Sequence, residues 1–161
     1  MMKQSLRISM IAIPILMVSA FLVPAPPARA ESPNQGCSDR TLRGDYGFTV
    51  EGVFLPGGGV SLPIRGVGMA HYDGAGNFTQ VDHIVFNGVA PAMEWTPGTG
   101  TYQVNADCTG TARINSTTEG FVNLAFVIVK QGKEIRSVVT APFDGPPGSG
   151  RDVTSVGIKV E

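Results

Sequence analysis

Cysteine, histidine and tryptophan are scarce, with two, two and one among 161 residues, and only 16% of positions are charged. The chain has no Cys-x-x-Cys pair, no His-Glu-x-x-His run and no spaced His/Cys set of the kind that holds zinc. It also lacks a Gly-x-Ser-x-Gly elbow for a serine nucleophile. Gly66-Val-Gly68 lies inside an extended apolar stretch with no helix after it, which removes the context a dinucleotide site needs. Asp73-Gly-Ala-Gly-Asn77 lacks the alternating acidic side chains and distal glutamate of a calcium loop, so it reads as a turn. Basic residues are few and dispersed. Arg40, Arg43, Arg65, Arg113, Lys130, Lys133, Arg136, Arg151 and Lys159 form no stripe, which excludes nucleic acid as a natural partner. No cofactor and no metal is implied, and no convincing long amphipathic helix occurs.

Residues 1–30 read as a secretory signal peptide. Lys3 and Arg7 form a basic start, Ile8 to Val23 is almost wholly apolar, and Ala28-Arg29-Ala30 supplies small residues where a signal peptidase cuts. A retained membrane anchor is the alternative, but the apolar run is short for a span, contains Pro14 and is closed by Pro24. The expected protein is therefore exported, to a periplasm or beyond the cell, as residues 31–161. That length suits one domain with one core. The whole chain carries twelve basic and thirteen acidic residues. Loss of Lys3, Arg7 and Arg29 leaves nine against thirteen, a formal charge of −4.

Both cysteines, Cys37 and Cys108, belong to the mature part. In an oxidising compartment an even pair favours a disulfide; a reactive thiol or a metal site is the alternative.

Between them lies the stretch that organises the rest, Ile64 to Tyr72, the turn Asp73 to Asn77, and Phe78 to Phe86. Two apolar, strand-like segments around five turn residues predict a β-hairpin. A loop centred on Ala75 pairs Ala70 with Gln80, Gly68 with Asp82 and Gly66 with Ile84, and directly opposed residues share a face. One face then carries Ile64, Gly66, Gly68, Ala70, Tyr72, Phe78, Gln80, Asp82, Ile84 and Phe86. With Arg65 and Thr79 in water, that face points inward and has space at its glycines. The other carries Val67, Met69, His71, Val81, His83 and Val85.

The same grammar continues along the chain. Ser38 to Leu42 allows a short helical turn, and Tyr46, Phe48, Val50 and Phe54 alternate with polar or small residues before Pro56-Gly-Gly-Gly59. Asn87 to Gly98 is a longer connection that contains Trp95 and could cover a pocket mouth. Strands follow at Thr101 to Ala106, Thr111 to Asn115, Phe121 to Val129, Glu134 to Val139 and Val153 to Val160, with Phe143 to Asp152 as a flexible crossing. About eight strands with turn signals about every ten residues predict an all-β fold, a closed antiparallel up-and-down barrel, with a β-sandwich as the alternative. Such a barrel has no exposed edge and room for side chains or one small ligand.

On predicted inward positions, Tyr46, Tyr72, Gln80, Asp82 and Tyr102 would give a mostly apolar cavity its polar anchors, with Trp95 at the mouth. Asp82 is the candidate catalytic group, because an unpaired carboxylate in an apolar lumen has its proton affinity raised. Alternatively it is a structural polar group bonded to backbone. His71 and His83 share a face but stand four residues apart, roughly 13 Å, too far to share a metal.

Cys37-x4-Leu42-x-Gly44-x-Tyr46, the Asp73-Gly-x-Gly-Asn-Phe78 turn and Gly98-x-Gly-x-Tyr102-x-Val-x-x-Asp107-Cys-x-Gly110 together resemble a group of small exported bacterial proteins with lipocalin-type or allene-oxide-cyclase-type barrels. The resemblance spans nearly all of residues 31–161 and implies an eight-stranded barrel with a central cavity. It carries over no catalytic residue, because the matching motifs are turns, a cysteine pair and aromatic core positions. Three functions are open at this point: a carrier for a small apolar ligand, a cyclase or isomerase acting on an apolar substrate in the cavity, and a structural or interaction protein of the cell envelope. The oligomeric state is open too.

Overall fold

The computed structural model describes residues 36–117, 120–140 and 149–161. Residues 1–30 and the segment 143–148 of the expected crossing lie outside the described residues. Eight strands run in chain order: β1 (Arg43–Gly57), β2 (Val60–Asp73), β3 (Asn77–Phe86), β4 (Thr96–Val104), β5 (Thr109–Ser116), β6 (Gly120–Val129), β7 (Glu134–Thr140) and β8 (Gly150–Lys159). Each pairs antiparallel with its neighbour in sequence, and β8 pairs back onto β1, so the sheet closes as an up-and-down barrel. The sandwich alternative is thereby removed. Among the described residues no helix is long and apolar enough to cross a membrane.

The organising hairpin has the register read from its turn. Ala70 faces Gln80, Gly68 faces Asp82 and Gly66 faces Ile84. Gly74 and Gly76 take positive φ values of 78° and 96°, which L side chains rarely adopt, so the two glycines are required there. Asp73 fixes the bend: its carboxylate accepts from the Ala75 and Asn77 N–H groups at 2.7 and 3.0 Å and from the Asn77 side chain at 2.8 Å. Those bonds, the Asn77 side chain first, hold the Asp73 carboxyl below its ordinary range.

Several boundaries differ from the sequence reading. The fourth strand begins at Thr96, not Thr101, because Thr96 to Gly100 pair with Asp82 to Phe78 of β3, which shortens the expected Asn87 to Gly98 connection. The break at Pro56 to Gly59 is only a tight link, since β1 reaches Gly57 and β2 begins at Val60. The last strand starts at Gly150, three residues early, because Arg151 and Asp152 pair with Phe54 and Val53 of β1.

The inner face was expected to have space at its glycines, and here the structure corrects the sequence. A Cβ on Gly68 would come within 2.3 Å of Phe48 Cζ, one on Gly66 within 2.3 Å of Ile84 Cδ1, one on Gly100 within 2.2 Å of Phe78 Cζ, and one on Gly110 within 2.2 Å of Phe126 Cζ. Each of these bulky residues is the register partner of the glycine it covers. The glycines are beds for rings and branched chains on the next strand, which lie flat along the wall instead of projecting across the axis.

One end of the barrel is sealed by the segment before β1. A 3-10 turn (Asp39–Thr41) leads to Leu42, which has no solvent exposure. Asp39 Oδ1 accepts from Val104 N–H at 2.7 Å, and the Tyr102 hydroxyl lies 3.0 and 2.9 Å from the Asp39 and Leu42 carbonyl oxygens, to which it donates. The Cys37–Cys108 disulfide joins the same segment to the β4–β5 turn across 71 residues of sequence. A loop of that length corresponds to about 4 kcal/mol in the chain-entropy account.

The glycine beds give a graded expectation. Gly68→Ala should lower stability by about 1–3 kcal/mol, because its methyl meets Phe48 and the Val81 carbonyl oxygen. Gly98→Ala should cost less than about 1 kcal/mol, since its nearest neighbour is Gln80 Cγ at 3.1 Å. Urea midpoints measure both, and equal losses would show that the covering side chains do not set the need for glycine.

Candidate functional site

Inside the barrel lies a cavity of about 130 Å³. Its walls are apolar, with Phe48, Val50, Ile64, Ile84, Ile114, Val122, Leu124, Ile135 and Val139 contributed by six of the strands. Even positions of β1 and β2 and odd positions of β7 face inward together because their register partners do.

The floor is aromatic. Tyr72 stands 5.2 Å, centroid to centroid, from each of Tyr46, Phe78 and Tyr102, edge-on to the two tyrosines and stacked on the phenylalanine. Two of the three hydroxyls are committed to closing the end: Tyr46 donates to the Gly132 carbonyl oxygen, and Tyr102 to the Asp39 and Leu42 carbonyls. The Tyr72 hydroxyl makes no hydrogen bond among the described residues, although its ring lines the cavity. Burial pushes the Tyr72 phenol well above the ordinary value of 10.0, and the neighbouring Tyr46 and Tyr102 phenols push it further. Tyr46 is raised by burial and then by Tyr102, and Tyr102 is raised chiefly by burial.

Polar groups form two short stretches on the walls. On β3, Gln80 Nε2 donates to Asp82 Oδ2 at 2.8 Å, which holds the carboxylate against its own strand. Ser116 lines the cavity near it, since Asp82 pairs with Thr96 and Ser116 pairs with Gly98, two residues further on. On β7 and β8, Ser137 and Ser155 are direct register partners, and Arg151 lies on the same face as Ser155.

Of the residues proposed from sequence, Tyr46, Tyr72, Gln80 and Asp82 line the cavity. Tyr102 lies beneath the floor, where its hydroxyl is used to anchor the N-terminal turn. Trp95 stands half exposed outside the lumen, 6.2 Å from the His83 ring, whose Nδ1 lies 2.7 Å from the Glu94 carbonyl oxygen. Residue 95 precedes inward-facing Thr96, so alternation turns its indole outward. His71 is an exposed partner of Asp45 at 2.7 Å. Among the described residues no three His, Cys, Asp or Glu side chains cluster as a metal site.

Arg151 was missed because its segment read as a crossing. The alternation back from Val153 was the available signal. Ser137 and Ser155 fall on the inward parity of their strands, but a single serine in a strand carries no mark of a site.

No protein-family model matches the chain, and neither a curated protein nor a solved structure matches it. The cavity's chemistry therefore stands on its own geometry. That geometry offers one uncommitted phenol, a carboxylate held by an amide, and apolar walls.

The raised phenols tie stability to alkaline pH. A tyrosine whose folded pKa lies above its unfolded value contributes stability that is complete below pH 10 and is lost as pH rises through the folded value. Unfolding should therefore set in above pH 10 together with the ultraviolet phenolate signal, and Tyr72→Phe should shift that onset upward. A phenolate signal that develops fully near pH 10 in the folded protein would contradict the buried floor.

Proposed function

We propose that the protein is an exported binding module that holds one small apolar molecule in the barrel lumen. The observation that carries this reading is the apolar cavity of about 130 Å³ in a barrel sealed at one end. A close-packed core has few voids larger than a water molecule, so an apolar space of this size is an empty place kept for something. The disulfide is compatible with an oxidising compartment, as the basic and apolar start of the chain also suggests. The likeness of the cysteine, turn and aromatic positions to lipocalin-type and allene-oxide-cyclase-type barrels supports the same reading at the level of fold.

A second reading, a cyclase or isomerase, rests on Asp82, which faces the lumen beside Gln80. A carboxylate among apolar walls could take up or return a proton. A long polyunsaturated or polyketide substrate would project beyond a cavity of this size, so the binding reading is preferred. The envelope-interaction reading draws on exposed Val67, Met69 and Val81 on the outer face, but it leaves the lumen without a purpose.

Native mass spectrometry of the mature protein purified gently from its host should show a stoichiometric small molecule that organic extraction releases. Val50→Phe, which places a ring in the lumen, should reduce its recovery at least about tenfold while the protein stays folded. Equal recovery from both proteins, or none from the natural one, would remove the binding reading. Asp82→Asn separates the two readings further. It should leave the extracted molecule unchanged if the protein is a carrier, and should cause unconverted substrate to accumulate if Asp82 moves a proton.

A further inference from the structure

The cavity's size and its one uncommitted phenol together define a narrower ligand class, and this inference rests on the binding reading. We propose that the occupant is a neutral, single-ring-sized molecule carrying one hydrogen-bond-accepting oxygen, a ketone, aldehyde or ether, which takes its hydrogen bond from the Tyr72 hydroxyl.

The size comes first. An apolar cavity of about 150 Å³ accepts one benzene ring. The present cavity of about 130 Å³ is close to that, which suits a molecule of about one ring and is too small to enclose a fatty-acyl chain.

The polarity follows from how the floor is built. All three tyrosines of the chain meet there, and two have hydroxyls spent on main-chain carbonyls of the sealing turns. Tyr72 is packed among Tyr46, Phe78 and Tyr102 at 5.2 Å each, so its ring cannot swing to find another partner. The Tyr72 hydroxyl has no protein partner and keeps accessible surface, so it offers its proton to whatever occupies the lumen. A tyrosine kept at this place is thus explained by an acceptor that arrives with the ligand.

Ser137 and Ser155 do not serve equally well. A serine hydroxyl on a strand can turn back to nearby main-chain groups, whereas a phenol at the end of a rigid ring cannot. The phenol is held in its neutral form, so in ordinary buffers it offers a proton and favours acceptors over acids.

The probes are acetophenone and α-methylstyrene, which have the same shape and differ in having a carbonyl oxygen or a methylene group at one position. Titrations followed by nuclear magnetic resonance should show both binding to the mature protein. Tyr72→Phe should weaken acetophenone about five- to tenfold, the effect of one lost hydrogen bond, and leave α-methylstyrene within about twofold. On the unsubstituted protein, labelling tyrosine at the hydroxyl-bearing carbon should show the Tyr72 signal shifting with acetophenone and not with the hydrocarbon, which needs no variant to fold.

If both probes bind and respond alike to Tyr72→Phe, or if the Tyr72 signal answers both equally, the oxygen-recognition inference is wrong while the binding reading survives. If neither probe binds the natural protein while a larger molecule is recovered from the host, the single-ring class is wrong. If neither binds and nothing is recovered, the binding reading fails as well.

Discussion

The barrel depends on pairing a large inner side chain with a glycine on the adjoining strand. Phe48 lies over Gly68, Phe78 over Gly100, Phe126 over Gly110 and Ile84 over Gly66, each within 2.3 Å of where a Cβ would stand. Phe48 is also the register partner of Gly157 on its other side, where only its Cβ comes near, at 3.8 Å from where a glycine Cβ would stand, so the ring leans toward β2. Eight strands enclose an interior just wide enough for side chains to fill. Rings projecting from every strand would fill this one, and rings laid flat on glycine beds leave its axis clear. The cavity is therefore a consequence of how bulk is distributed around the wall, not of a shortage of bulk.

The sealed end answers the other half of the problem. An open barrel end would expose its inner layer to water, and here the chain before β1 folds back across it. Leu42 supplies the apolar stopper, and Tyr102 joins the floor to the main chain of the 3-10 turn. Gly132 takes part from the opposite side, because a Cβ there would come within 2.8 Å of the Thr41 carbonyl oxygen. The disulfide holds the whole segment to the β4–β5 turn, whose Cys108 has a positive φ of 68°. Two of the three tyrosines are thus part of the seal, and their chemistry is used up in making it.

Strand content, closure and hairpin register were legible because each leaves a local trace. A period of two marks a strand with one covered face. A five-residue turn with glycine at its second and fourth places fixed which residues oppose each other, and the pairing from Tyr72–Phe78 to Ile64–Phe86 follows from that alone. The same parity correctly set Gln80 and Asp82 on the lumen side. What the sequence did not display was anything that depends on two distant strands at once. Gly66 and Gly68 read as open space because Phe48 is on another hairpin arm, and because the pairing of Gly66 with Ile84 does not reveal that the Ile84 side chain leans over the glycine. Tyr102 has the parity of a lumen residue, yet its height along the barrel puts it under the floor, and height accumulates over every strand between. Arg151 was lost among glycines and prolines, where the period that would have marked it is too short to see.

These constraints narrow what a binding site here can be. Tyr46 and Tyr102 cannot release their hydroxyls to a ligand without opening the seal, so polar recognition falls to Tyr72 at the floor and to Gln80, Asp82, Arg151 and the serines on the walls. The Gln80–Asp82 bond already spends one amide proton within the β3 strand. Among apolar walls, discrimination between molecules of equal size comes mainly from the few polar atoms that would be left unpaired by the wrong one. Selectivity in such a lumen is set by what the seal does not use.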